Sequence, residues 1–249
     1  MDTLAYSNQL ADELELDAPS FEPRVAEIPA QTALAHALRA ERNDDSVQEL
    51  LKHPGIWRRS ASAPVRVRAV STGLASLDAL LPGGGWPLGA LSEILFAHDG
   101  LGELSLTMPA LAQLTQRRQR VVFVAPPYIP YAPALEACGL DLRYVVQIDA
   151  AAGKGAWSAE QCLRSGACGA VLGWFNEADY TQLRRLQLAA ESGDALAFLF
   201  RPARTATKAS PAALRLQLHT DAEGVQLEIF KCRGNLDAQR NTRLRCRIG

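Results

Sequence analysis

The stretch of sequence that decides the fold is STGLASLDALLPGGGWPLGALSEIL, residues 71–95. Its apolar residues first follow a helical spacing over 75–81. The glycine cluster 83–85 then supplies a sharp turn, because glycine adopts positive φ without strain. A short apolar run, 90–96, follows and is typical of a buried strand. The stretch therefore predicts a short helix that turns back into a strand at the centre of a sheet.

Beyond this stretch, short apolar runs alternate with helical patterns. The further predicted buried strands lie at 121–125, 144–148, 170–174 and 195–200. The helix candidates lie at 105–118, 131–137, 157–165 and 179–191, and Ser158 with Gln161 forms a candidate capping box for the third of these. Upstream, residues 65–70 alternate apolar and charged side chains, as a half-buried edge strand does. Strands that alternate with helices predict a mostly parallel central sheet flanked by helices.

The pattern changes towards the C-terminus. Residues 214–218 and 225–230 alternate strictly between apolar and polar side chains, on either side of the turn sequence Asp-Ala-Glu-Gly at 221–224. This arrangement predicts an antiparallel hairpin that closes the otherwise parallel sheet. The predicted fold class is therefore α/β, with a core domain over residues 65–235.

Charged segments flank the predicted core. Residues 1–30 hold seven acidic residues against Arg24 alone, together with three prolines, a composition typical of a disordered head. Residues 31–64 carry two short helical patterns and then a linker, which predict an N-terminal helical arm. Residues 236–249 form a basic tail, which suits nucleic acid, an acidic partner surface or simply a solvated end.

The composition excludes several classes of protein. A chain of 249 residues, 48% hydrophobic and 21% charged, fits one α/β domain with appendages. It has neither the roughly 18 consecutive apolar residues of a membrane span nor a secretory signal, so we expect a cytoplasmic protein. The five cysteines are scattered, so we expect no metal and no disulfide. The isolated histidines lack a nucleophile at catalytic spacing, so we expect no catalytic residues.

Residues 71–95 resemble the entry into the core of the RecA recombinase family, in which the same features follow in the same order. The matching residues are Ser71, Thr72, Gly73, Leu77, Asp78, Gly83, Gly84, Gly85, Pro87, Gly89, Glu93 and Ile94. The resemblance implies a RecA-like core. In that family the strand that corresponds to 90–96 leads into a phosphate-binding loop of the form G-x-x-x-x-G-K-[ST].

The residues that follow this strand depart from the phosphate-binding pattern. With Gly102 at the second glycine, a one-residue insertion places Ala97 at the first glycine, Glu103 at the lysine and Leu104 at the hydroxyl residue. A carboxylate at the lysine position repels a triphosphate. We therefore expect this loop to bind neither ATP nor another cofactor.

Two further acidic positions of the family are also changed. They fall on Pro127, after the second core strand, and on Trp174, after the fourth. Neither residue is a carboxylate, so the resemblance implies a degenerate member of the family that is not an enzyme.

Among RecA-like chains without an ATP site, the sequence resembles the ImuA-type proteins of translesion DNA synthesis. The resemblance rests on segments 50–59 and 71–95, on Ala-Pro-Pro at 125–127, on Arg-Pro-Ala at 201–203 and on Lys-Cys-Arg-Gly at 231–234. It implies an adaptor of the SOS response, the bacterial reaction to DNA damage, that binds an ImuB-type inactive polymerase homologue and RecA. Indirect partners are the sliding clamp and an error-prone polymerase. The alternative is a SulA-type inhibitor that binds the tubulin-like division protein.

Five basic residues are candidate contacts to DNA or to a partner. Arg201, Arg204 and Lys208 lie in a loop after a predicted buried strand, where the resemblance implies a DNA-contacting loop and where bases suit phosphate. Lys231 and Arg233 end the hairpin, at a place that in RecA faces a neighbouring subunit. For both groups, the alternative is an ordinary solvated surface.

Overall fold

The structure is a computed structural model that describes residues 67–221, 224–235 and 242–246. The predicted acidic head (1–30) and the predicted helical arm and linker (31–64) precede this range, and the predicted strand 65–70 overlaps its start. The head and the arm lie entirely outside the described residues, and their predictions stay untested.

Within the described residues, eight strands form the central sheet and two short strands form a separate one. The small sheet pairs β1 (Ala69–Val70) antiparallel with β2 (Trp86–Pro87). The strands of the central sheet are β3 (Ala90–Phe96), β4 (Arg120–Val124), β5 (Val145–Ile148), β6 (Cys168–Gly173), β7 (Leu196–Pro202), β8 (Leu214–Asp221), β9 (Gly224–Cys232) and β10 (Thr242–Cys246). Across the sheet they follow the order β10-β9-β8-β3-β7-β6-β4-β5.

The direction of the strands confirms the predicted α/β class and the mostly parallel sheet. β3 lies in the middle and pairs parallel with β7 on one side and with β8 on the other. β4, β5 and β6 continue the parallel arrangement. β8, β9 and β10 are successively antiparallel, which confirms the predicted C-terminal hairpin and adds a third strand to it.

Helices cover both faces of the sheet, because the strands are apolar on both sides. The helices are α1 (Ala75–Asp78), α2 (Met108–Gln116), α3 (Ala132–Ala137), α4 (Gly155–Arg164) and α5 (Tyr180–Gly193). α2 contributes Leu111 to the core cluster that contains Phe123 of β4. α4 and α5 contribute Leu163 and Leu186 to a second cluster, which contains Val122 of the same strand. Adjacent β4 residues thus point to opposite cores, as strand geometry requires.

The glycine turn that leads into β3 forms as predicted. Gly83 adopts a φ of 81°, and a Cβ atom on it would lie 2.2 Å from the carbonyl oxygen of Val67. Before this turn, Asp78 accepts hydrogen bonds from the Ser71 hydroxyl (2.6 Å) and from the Thr72 amide (2.8 Å). These hydrogen bonds fix the segment that precedes α1 to the last residue of that helix. The glycine turn after α1 then directs the chain into the central strand.

Two boundaries differ from the sequence prediction. In the described part of the predicted strand 65–70, only Ala69–Val70 is extended, and it pairs with β2 instead of the central sheet. At the other end, β10 extends the sheet beyond residue 235, into the segment interpreted as a basic tail. Leu244 packs against the main core cluster while Arg243 and Arg245 are exposed, so a strand forms in this segment despite its charge.

None of the helices in the described part of the chain has the length and apolar character that a membrane span requires.

Candidate functional site

The carboxyl ends of β3, β4, β6 and β7 lie along one edge of the sheet, because these strands are parallel neighbours. Ligands of open α/β sheets bind at this edge. The loops that leave the edge contain all six positions that the sequence analysis assigned to a lost phosphate-binding site: Ala97, Gly102, Glu103, Leu104, Pro127 and Trp174. These six residues therefore determine what this edge of the sheet can bind.

The loop between β3 and α2 is closed by its own hydrogen bonds. Gly102 has a φ of 83°, and its carbonyl oxygen accepts the Leu106 amide at 3.1 Å. The Thr107 amide donates to the carbonyl of Leu104 at 2.9 Å. The carboxylate of Glu103 accepts the Gly100 amide at 3.3 Å. The loop thus holds a carboxylate where an anion-binding site would need a cation.

The helix that follows this loop begins later than predicted. Its first residue is Met108, whereas the sequence pattern began at 105, and Pro109 lies in the first turn. Proline is accommodated there because the first amides of a helix have no partner within it. Ala97 is exposed at the end of β3, whereas Leu104 packs against the core.

An aromatic stack closes the neighbouring strand ends. Trp174, directly after β6, lies between Phe200 and Phe123, with ring centroids 4.8 Å and 6.2 Å away. Both pairs are nearly parallel. Pro127 is exposed in the loop after β4. These strand ends, for which the sequence resemblance implied lost acidic residues, carry an apolar layer and a proline.

A buried ion network crosses the middle of the sheet. Glu93, fully buried on β3, accepts a hydrogen bond from Arg201 of β7 at 2.8 Å and one from Arg215 of β8. Arg201 is 1% exposed and also donates to the carbonyl of Ala178 at 2.8 Å. Arg201 is therefore a structural residue. Its prediction as a DNA or partner contact is corrected, because an external ligand cannot reach its side chain.

Arg215, a member of this ion network, also anchors the loop 203–210. The guanidinium of Arg215 donates to the backbone carbonyls of Thr205 (3.0 Å), Ala206 (3.1 Å) and Lys208 (3.1 Å). It also lies 4.8 Å from the ring centre of Phe230. A guanidinium presents several donors in a fixed geometry, so one side chain fixes the path of the whole loop.

Lys231 adds a second anchor to this loop. Its ammonium group donates to the carbonyl of Ser210 at 2.6 Å. Burial lowers the pKa of Lys231, and the charges of Arg233 and Arg215 lower it further. Lys231 thus faces the protein, whereas Arg233 is exposed and its guanidinium makes a long contact, 3.4 Å, to the carbonyl of Pro211.

Two of the predicted basic contacts remain on the surface of loop 203–210. The Arg204 side chain is 67% exposed and pairs with the still more exposed Glu177 at 3.2 Å. Lys208 is exposed, and only its backbone carbonyl is engaged by Arg215. Of the five candidate contacts, Arg204, Lys208 and Arg233 are therefore accessible.

The loop between β4 and α3 exposes an apolar surface that the sequence analysis did not select. Tyr128, Ile129 and Tyr131 are 69%, 85% and 72% exposed. The Tyr128 hydroxyl donates to the carboxylate of Asp99 at 3.2 Å, and this hydrogen bond raises the pKa of Tyr128. We call residues 128–131 the apolar loop. The signal available in the sequence was a group of aromatic and aliphatic residues between prolines, in a segment too short for a core element.

A cleft of about 290 Å³ lies at the start of α4 and α5. Trp174 and Phe175 line it together with small residues of the segment 150–156. Glu177 is the one titratable residue among its described lining residues. A cleft with this lining offers apolar contact but no acid and base pair.

These features define a class of protein: an α/β domain with a buried ion network and with apolar and basic loops at the ligand-binding edge of its sheet. Within the described ranges, no group of three or more His, Cys, Asp and Glu residues could hold a metal ion. The arrangement suits contact with another macromolecule.

Comparisons with known proteins point to a particular family. A family model described as the cell division inhibitor SulA matches residues 89–197. The cell division inhibitor SulA of Edwardsiella piscicida is 34% identical over 101 residues, which are 40% of this chain and 60% of that protein. SulA of Yersinia pestis (strain Pestoides F) is 28% identical over 133 residues, 53% of this chain and 79% of that protein. The chain thus spans 60% of the length of the Edwardsiella relative.

A solved structure of a division inhibitor is among those compared with this chain. The crystal structure of SulA from Pseudomonas aeruginosa aligns with a TM-score of 0.38 and 23% sequence identity, over 45% of this chain and 97% of that chain.

The comparisons overturn the predicted ImuA-type function. The matching proteins are named as division inhibitors, so the role in translesion synthesis is wrong. The partners drawn from it are wrong as well: the ImuB-type homologue, RecA, DNA, the sliding clamp and the error-prone polymerase. The matching proteins are named for inhibition and not for a reaction, which agrees with the prediction that the chain is not an enzyme.

Proposed function

We propose that the protein inhibits cell division by binding the tubulin-like division protein, without catalysing a reaction. The observation that carries this proposal is the match to the SulA family model over residues 89–197. These residues contain β3 to β6, the start of β7 and every loop between them. The matched segment therefore includes both the central strand and the apolar loop.

The apolar loop is the contact that we assign to this function. Three large apolar side chains in four residues expose more hydrophobic surface than a solvated turn requires, and aromatic residues are enriched at binding hot spots. Asp99 beside Tyr128 provides a polar rim. The accessible bases Arg204 and Lys208 lie on another loop of the same sheet edge and are proposed as secondary contacts to acidic residues of the partner.

Three finer statements belong to the same proposal. The RecA-like character of the core is supported by the entry of residues 71–95 into the central strand β3. A cytoplasmic location follows from the partner, because the tubulin-like division protein assembles in the cytoplasm. An SOS-induced role accords with a division inhibitor, which delays division while DNA is damaged.

The test is to titrate the purified full chain into the tubulin-like division protein of the same cell while GTP-driven assembly is followed by sedimentation. We expect assembly to decrease as the inhibitor approaches an equimolar amount. The variant Tyr128→Ser/Ile129→Ser/Tyr131→Ser should require at least roughly tenfold more protein, because a hot-spot residue contributes about 2 kcal/mol or more.

A matched control is Leu188→Ser on α5, since Leu188 is also an exposed apolar residue, at 47%. This variant should inhibit as well as the unchanged chain. Unchanged assembly at a large excess of the purified protein, with no binding in a pull-down, would exclude the proposed function. Equal loss of inhibition in the control and in the loop variant would exclude the apolar loop as the contact.

A further inference from the structure

The turn between α2 and β4 carries an exposed group of arginines. Its sequence is Gln-Arg-Arg-Gln-Arg over residues 116–120, and every one of these residues is exposed. Within the described residues, Arg117, Arg118 and Arg120 make no ion pair and no side-chain hydrogen bond. We call residues 117–120 the arginine turn. It presents three guanidinium groups to solvent within four residues.

The acid that lies beside this turn already has a partner. Asp141 accepts two hydrogen bonds from the guanidinium of Arg143, at 3.0 Å and 2.7 Å, one on each carboxylate oxygen. The hydrogen bonds from Arg143 lower the pKa of Asp141, and the charge of Arg118 lowers it further from beyond ion-pair distance. Because Arg143 balances the charge of Asp141, Arg118 remains available to another carboxylate.

The backbone of Arg118 has a conformation that favours glycine. Its φ is 62°, a left-handed value that is unfavourable for a residue with a Cβ atom. This conformation closes the end of α2, because it lets the Gln119 amide donate to the carbonyl of Leu114 at 3.0 Å. At the ends of α3 and α4 the residues with positive φ are Gly139 and Gly166. The closure of a helix therefore does not account for an arginine here.

The end of α5 shows how a side chain is used at such a place. Asp194 has a φ of 51°, and its carboxylate pairs with Arg68 at 2.8 Å, a contact that glycine could not make. At the end of α2, Arg117 occupies the C-cap and already places a cation near the last carbonyls of the helix. The Arg118 side chain is therefore free to contact a group outside the chain.

The charge of the whole chain favours a protein partner over a nucleic acid. The formal net charge is −1, so a long polyanion is attracted by the arginine turn but not by the chain as a whole. The turn also contains no aromatic residue on which a base could stack. A short acidic segment experiences mainly the local charge, and guanidinium groups bind carboxylates through two parallel hydrogen bonds.

The arginine turn and the apolar loop lie at opposite ends of the same strand. Arg120 is the first residue of β4, whereas the apolar loop follows its last residue, Val124. A strand of this length spans roughly 15 Å. The two surfaces therefore lie at opposite edges of the sheet, and a partner on the apolar loop leaves the arginine turn accessible.

We propose that the arginine turn binds an acidic segment of a second protein, in which several Asp or Glu side chains are neighbours. The chain then holds this segment at one edge of the sheet while the apolar loop contacts the division protein at the other. The proposal goes beyond the inhibition of cell division and does not depend on it.

Binding is tested with a fluorescein-labelled hexaglutamate peptide, whose anisotropy is measured against the purified full chain at physiological ionic strength. We expect saturable binding, and none for a hexaglutamine peptide with the same label. Arg117→Gln/Arg118→Gln/Arg120→Gln should weaken binding at least roughly tenfold, because three contacts to carboxylates are lost. The matched control Arg184→Gln removes an exposed arginine of α5 and should change the affinity less than about twofold. No saturable binding, or an equal loss in the control, would overturn the proposal.

A single substitution separates binding from stability. Arg118→Gly should weaken peptide binding roughly threefold, since one guanidinium is removed. The urea midpoint of unfolding should stay unchanged or rise, because glycine adopts a φ of 62° without strain. A lower midpoint together with unchanged binding would show that Arg118 serves the fold, and the proposal would then be wrong.

Two further measurements identify the kind of partner. An unlabelled hexathymidylate strand should displace the labelled peptide at least several-fold less effectively than unlabelled hexaglutamate does, and more effective displacement would make a nucleic acid the ligand instead. The triple glutamine variant should inhibit assembly of the division protein as well as the unchanged chain. Loss of inhibition would place the arginine turn in the contact with the division protein and overturn a separate site. Failure of peptide binding alone leaves the inhibition assay as an independent result.

Discussion

Two loops at the same edge of the sheet are built in opposite ways. Loop 203–210 is held from inside by Arg215 and Lys231, which donate four hydrogen bonds to its carbonyls. The apolar loop 128–131 has large side chains in solvent, and Tyr128 alone among them has a described hydrogen bond, to Asp99. Charged residues therefore stabilise the first loop, whereas we propose that the apolar residues of the second form a binding surface. With that proposal, the usual association of charge with binding and of apolar residues with the core is reversed.

The largest expected effect comes from the centre of the ion network that supports loop 203–210. Glu93→Gln leaves two buried guanidinium groups without their carboxylate, so we expect the free energy of unfolding to fall by about 3–5 kcal/mol. Urea unfolding followed by circular dichroism measures it. The matched control is Glu177→Gln, which removes an exposed partner of Arg204 and should cost less than about 1 kcal/mol. Similar values for the two variants would show that the buried network does not stabilise the fold.

A smaller, more local effect is expected from Arg215→Met. The variant removes the donors to three carbonyls of loop 203–210 but leaves the pair between Glu93 and Arg201 in place. Buried acceptors without a partner cost about 1–3 kcal/mol each, and part of this cost is relieved if the loop opens to water. Amide hydrogen exchange should therefore accelerate in loop 203–210 and not in the apolar loop. Uniform acceleration in both loops would contradict the anchoring role.

A pH-dependent effect is expected next to the Lys231 anchor. Burial raises the pKa of the Cys232 thiol to about 11, from 9 for an unperturbed thiol. The folded state thus retains a proton that the unfolded state releases, so the contribution of this thiol to stability is fully present below pH 9 and is lost as the pH rises through about 11. The stability of the unchanged chain should fall over this window more steeply than that of Cys232→Ala. Parallel pH profiles would show that the thiol is not shielded.

The smallest effect is expected in the apolar loop. Asp99→Asn removes the negative acceptor that raises the pKa of Tyr128, so the tyrosine should ionise closer to its ordinary pKa of 10.0. Difference absorbance titration against a Tyr128→Phe variant isolates this hydroxyl from the other tyrosines. We expect almost no change in unfolding free energy, because both groups are exposed. A substantial loss of stability would mean that the apolar loop is held in place more firmly than its contacts indicate.

The strands of the central sheet are predicted well, because a buried strand is marked by a run of apolar residues that are adjacent in the sequence. The apolar run 90–96 coincides with β3, and the other central strands lie within a few residues of their predicted positions. Helix starts are predicted less well. Ser158 lies inside α4, which begins at Gly155, whereas the capping box that forms joins Asp179 and Gln182 at the start of α5. Serine is common both in caps and in helices, so spacing alone did not separate the two sites.

The candidate site could be predicted only in part, because its side chains meet through distant strand pairings. Glu93 and Arg215 are cross-strand partners, but that register depends on the whole sheet. Arg201 was interpreted as a surface contact because it was assigned to a loop that, by the resemblance to RecA, contacts DNA. A usable signal was present: a carboxylate inside an apolar strand requires a buried cation. The apolar loop was missed because the basic residues after β7 and at the end of β9 indicated a site for phosphate or for an acidic partner.

The position of Glu93 also bears on how the chain is made. Its cationic partners Arg201 and Arg215 lie 108 and 122 residues further along the chain, so they leave the ribosome well after β3 does. Until then the strand Ala-Leu-Ser-Glu-Ile-Leu-Phe has no neighbour in the sheet, and such apolar segments aggregate readily. A lone carboxylate keeps that segment hydrated and opposes its pairing with other nascent chains. Glu93 therefore stabilises the completed sheet through its ion pairs, and it also opposes aggregation of β3 before the sheet has formed.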